Sequence, residues 1–229
     1  NESFCFFYFT NMGVTIKKHV ALFGFARKGK SFFRVWGDGV LQIIKYGRER
    51  AFQADLICVG LFSMYGPLPS KMFTAPGSIA KYSVMNCYGQ NALPPFFAPP
   101  VQTQMDMLRD RVMPWLNSID TQKELLDAMT KLDRRWNDSA KIGPYLACGQ
   151  QNHAKKVIKE IIGPSAFAQI RNAPKREETV DELLARVDRE PTPYCGMIEI
   201  IDRGEDAVCA YLQANYAKNA EHAKFCMSE

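Results

Sequence analysis

Few residues of this 229-residue chain stand where their types and spacing would do chemistry. Cys148 and His153 are five apart across a helix break, close enough to meet. A nucleophilic thiolate needs a cationic neighbour or a helix N-terminus. The pattern instead puts Cys148 near the C-terminal end of a short helix, where the helix dipole disfavours negative charge. A small buried residue is the better reading. His222 and Cys226 are four apart on the last helix, but two ligands do not make a zinc site, which wants four in close pairs. Gly37-Asp38-Gly39 follows a strand but opens no helix, and there is neither a G-x-x-x-x-G-K-[ST] cradle nor a G-x-S-x-G elbow. The expectation is no metal, no cofactor and no catalytic residue. A site assembled from scattered residues stays open, because one chain read in one dimension does not show it.

The most unusual feature is electrostatic. Residues 1–100 carry eleven Lys and Arg against four Asp and Glu, whereas the rest of the chain is slightly acidic. Lys17, Lys18, Arg27, Lys28, Lys30, Arg34, Lys45, Arg48 and Arg50 are interleaved with Phe32, Phe33, Trp36 and Tyr46. A sheet face mixing arginine with aromatics can hold a phosphate and stack a base. In the plainer alternative the aromatics pack the core and the cations are solvated or paired with acidic helices. Arg27, Lys28 and Lys30 are the candidate anion ligands.

The elements that would position these residues follow from periodicity. Met12, Ile16, His19, Val20 and Phe23 recur at helical spacing, which predicts a helix over about 11–23, and Gly24 ends it in the left-handed conformation. The period then drops to two. Phe32, Arg34 and Trp36 share one strand face, Phe33 and Val35 the other; Gly37-Asp38-Gly39 turns the chain into a second strand, 40–46. Residues 51–63 form a third strand, polar at Gln53 and Asp55 but apolar on both faces from Leu56 to Leu61 and hence central. Residues 64–100 are rich in proline, with a short fourth strand near 82–88 and a stiff crossing that carries Phe96 and Phe97. Helices fill the remainder. Pro114 should kink the first of them. Thr121 with Glu124, and Thr179 with Glu182, have capping-box spacing. Helices are also predicted over 144–148, over 151–162 with a stop at Gly163-Pro164, over 194–202 and over 205–224.

The run from Leu22-Phe23-Gly24-Phe25-Ala26-Arg27-Lys28-Gly29-Lys30 through Phe32-Phe33-Arg34 to Gly39-Val40-Leu41-Gln42-Ile43-Ile44 resembles a mainly bacterial family called domain of unknown function 4304. The resemblance covers roughly residues 12–132. It implies an α+β sheet domain with helices behind it, and no activity.

Together these readings predict an α+β fold: an N-terminal helix and an antiparallel sheet of about four strands over 1–100, then a helical layer over 101–229 packed on it as one unit. Seven cysteines at irregular spacing, with no convincing export signal before them, predict free thiols and a cytoplasmic protein. No apolar run approaches the roughly 18 residues a membrane span needs. The expected function is non-catalytic binding or interaction, with a protein partner; association with nucleic acid through the basic half is the alternative. The expected site is the sheet face bearing Arg34 and Trp36, near Phe96 and Phe97. Arg34 poses a choice. If its face is buried it needs an acidic partner, for which Asp55 is the candidate; if the face is open, Arg34 and Trp36 bind a ligand.

Overall fold

The computed structural model describes residues 18, 20–29, 31–49, 54–68, 82–83, 101–132, 138–172, 177–190 and 193–227. Most of the predicted N-terminal helix, the crossing at 93–100 and most of the predicted fourth strand lie outside these residues. Residues 18, 20 and 21 are helical and form the end of a first helix. That end closes as expected. Gly24 sits at φ 77°, its N–H donates to Ala21 O, and the N–H of Phe25 reaches back to Val20 O at 3.4 Å. Val20 and Phe25 then pack in the same core, the apolar contact that accompanies this kind of helix end.

The sheet is antiparallel, with strands in chain order: β1 (Ala26–Lys28), β2 (Ser31–Trp36), β3 (Val40–Glu49), β4 (Ala54–Ser63) and the two-residue β5 (Tyr82–Ser83). β1 was not among the strands predicted from the sequence. The strand is three residues long and exists by pairing Ala26 with Phe33 and Lys28 with Ser31. A short edge strand with charged side chains also discourages pairing with another chain. The register Arg34↔Gln42↔Leu61 fixes which residues share a face.

Helices cover both faces. One face carries Phe32, Val40, Ile44, Ile57, Val59 and Leu61. Against it pack the first helix and the helices α1 (Val101–Met107), α2 (Met113–Asn117) and α3 (Gln122–Leu132). Between α1 and α2, just before Pro114, lies a π-helical segment, Leu108–Val112, in which Met113 N–H reaches back five residues to Leu108 O. Pro114 has no N–H to give and its ring crowds the preceding turn, so a widened turn just before it relieves the clash. The opposite face, with Phe33, Leu41, Ile43 and Cys58, is covered by the second half of α9 (Glu205–Met227) through Tyr216, Ala220 and Ala223.

Five further helices, α4 (Ile142–Ala147), α5 (Gln151–Ile162), α6 (Pro164–Asn172), α7 (Val180–Arg189) and α8 (Tyr194–Arg203), share a third core with the first half of α9. This helical core is tied to the sheet at one close approach. A Cβ on Gly143 of α4 would lie 2.8 Å from Gly66 Cα. Buried Asn219 of α9 donates to Met64 O and Gly66 O at 2.8 and 2.9 Å. α5 stops at Gly163-Pro164 as predicted, with Gly163 at φ 86° closing it; α6, which Pro164 then opens as a first residue whose missing N–H costs nothing, was not predicted.

Candidate interaction surface

Arg34 lies in the middle of β2 with its residue only 3% exposed. Its Nε donates to Gln42 Oε1 at 2.9 Å on the neighbouring strand, its Nη1 to Phe23 O at 2.6 Å, and its Nη2 to Asn117 Oδ1. The guanidinium also sits between two rings, 4.6 Å from the centre of Phe25 and 4.1 Å from that of Trp36. None of these partners is a carboxylate. Asp55 is not the partner: it pairs with Arg48 in the β3–β4 register, six residues along β4 from Leu61, or roughly 20 Å at strand spacing.

The location of the oxygens explains why neutral partners are enough. Phe23 closes the first helix and Asn117 closes α2, so Arg34 stands at two helix C-termini. Each end presents unpaired carbonyls and the negative end of a dipole, which favours a cation by about 0.3–1 kcal/mol at an exposed site and up to about 2 when partly buried. A desolvated guanidinium on an aromatic face adds about 2 kcal/mol. Burial still pushes the arginine down, to about 10, which leaves it charged at neutral pH. Gln42, fully buried, extends the same capping: its Nε2 donates to Leu116 O at 2.7 Å. Trp36 completes it, with its indole N–H donating to Asn117 O at 3.2 Å.

Trp36 is thus fixed on one side and remains 37% exposed. Leu22, which precedes Phe23 in the chain, is 83% exposed. Trp36 stacks on the buried guanidinium, and Leu22 adjoins in sequence the residue whose carbonyl accepts from it. The face itself is not open, as the sequence reading allowed; only its rim is. Sequence reasoning missed Leu22, Gln42 and Asn117. A glutamine in the centre of an apolar strand was the one visible sign that something polar lay opposite.

Of the candidate anion ligands, the two that are described lie on opposite faces of the sheet. Arg27 is exposed on β1 and its Nε turns back to Gly29 O at 2.9 Å. Strand alternation places Arg27 on the Arg34 face and Lys28, paired with Ser31, on the opposite one. Lys30, Phe96 and Phe97 lie outside the described residues.

The neighbouring hairpin turn is equally constrained. Asp38 N–H donates to Asp120 O at 2.6 Å, Tyr65 Oη donates to Asp38 Oδ1 at 2.7 Å, and Gln122 donates to Asp38 O. Burial, with the Asp38 hydrogen bond second, pushes the Tyr65 phenol up to about 12. Burial likewise raises the Cys148 thiol, assisted by Asp38 and Asp127, and the Cys195 thiol, assisted by Glu190 and Glu199. Both shifts oppose thiolate formation. His153 stacks on Tyr145 with ring centres 5.5 Å apart. Among the described residues no group of three His, Cys, Asp or Glu could hold a metal ion, and no helix is long and apolar enough to cross a membrane.

Compared with family models, curated proteins and solved structures, the chain matches none.

Proposed function

We propose that this is a non-catalytic binding protein whose contact surface is the Leu22–Trp36 rim. The observation that carries the reading is the pairing of exposure with fixation. Trp36 is partly open to solvent yet held by a hydrogen bond to Asn117 O and by the stack on Arg34. Tryptophan is enriched among the residues that dominate interfaces, and a ring already immobilised loses little entropy on binding. Leu22 adds an apolar side chain that is 83% exposed. The described cysteines Cys148, Cys195 and Cys209 are free thiols, which supports a reducing compartment, and we place the protein in the cytoplasm. The resemblance to domain of unknown function 4304 rests on the residues of the first helix end and β1 to β3.

The nucleic-acid alternative loses its central residue, since Arg34 is engaged inside the fold, and depends on Arg27 with its neighbours. One experiment separates the two. The immobilised wild-type protein, Leu22→Asp and Ile161→Asp are exposed to nuclease-treated and untreated lysate of the source cells. The proposal expects a protein retained by wild type and Ile161→Asp, lost by Leu22→Asp and indifferent to nuclease. Retention by Leu22→Asp contradicts it, and retention that nuclease abolishes supports the nucleic-acid reading.

A further inference from the structure

We draw no further inference here: the strongest candidate, the cluster of Glu178, Glu190 and Glu199 around Arg186 between α7 and α8, is an acidic cluster whose carboxylates already pair with that arginine, and nothing else in the structure points to a ligand there.

Discussion

The guanidinium of Arg34 lies 4.1 Å from the centre of the Trp36 ring, so a buried cation supports a partly exposed aromatic side chain. The two residues are on one strand face, two positions apart, and both bond to Asn117. Stability and surface presentation are coupled through that residue pair.

Removing the guanidinium leaves Gln42 Oε1, Phe23 O and Asn117 Oδ1 without their donor. Unsatisfied buried acceptors cost about 1–3 kcal/mol each, and dismantling a buried charge site about 3–5 kcal/mol. Arg34→Leu should therefore lower stability by about 3–5 kcal/mol in urea unfolding. Arg34→Lys should recover less than half, because a point-like ammonium cannot reach three oxygens and lie flat between two rings. An Arg34→Lys protein as stable as wild type would show that planarity is irrelevant here.

Gly37 tests the hairpin turn. It has φ 49°, and a Cβ there would lie 2.0 Å from Asp120 O. Gly37→Ala should cost about 1–3 kcal/mol from overpacking, beyond the backbone penalty. Gly149 has φ 71° with open space around it, so Gly149→Ala carries only the backbone penalty, about 1–2 kcal/mol. Equal losses of melting temperature for the two variants would contradict the close approach of the turn to Asp120.

What the sequence revealed divides by range. The Thr179–Glu182 capping box formed as expected, and so did the corresponding bonds between Thr121 and Glu124, because those partners are three residues apart and meet whenever a helix starts. Gly24 was legible for the same local reason. The environment of Arg34 was not. Asn117 is 83 residues away, and the Phe23 contribution is a backbone carbonyl, which leaves no trace in residue type. Asp55 was chosen on charge alone, without a register to place it. β1 was invisible because Ala-Arg-Lys has no strand character of its own and borrows it from β2. The helix that begins at Pro164 went unpredicted, because a proline that marks the end of one helix can also begin the next.

The acid limb of stability should depend on Glu182. Its carboxyl is held below 4.5 by hydrogen bonds from the Thr179 N–H and hydroxyl. A carboxyl depressed in the folded state stabilises above its unfolded pKa, and this contribution is lost as pH falls through the folded value. Glu182→Gln should thus be less stable than wild type at neutral pH, with the difference vanishing at low pH. A constant difference across the range would assign the loss to something other than the charge.

Tyr65 gives the opposite sign at the alkaline end. Its phenol moves from 10.0 in the unfolded chain to about 12. The folded state holds this proton more tightly, so the contribution is complete below pH 10 and lost between pH 10 and 12. Absorbance titration near 295 nm should show Tyr65→Phe removing ionisation from that upper range. Loss of a tyrosine ionising at its ordinary value would mean that Tyr65 is neither desolvated nor bonded to Asp38 in solution.

The most direct measurement of the binding surface is the dissociation constant of the captured protein for wild type, Leu22→Asp and Trp36→Phe, beside the melting temperature of each. Leu22 is exposed, so its replacement should leave the melting temperature unchanged while weakening binding tenfold or more, about 1.4 kcal/mol. Trp36→Phe keeps a ring over Arg34 but loses the bond to Asn117 O, and should weaken binding less than Leu22→Asp while lowering stability by about 0.5–1.5 kcal/mol. Dissociation constants within twofold of wild type for both variants, in proteins that remain folded, would contradict the claim that the Leu22–Trp36 rim is where this protein binds.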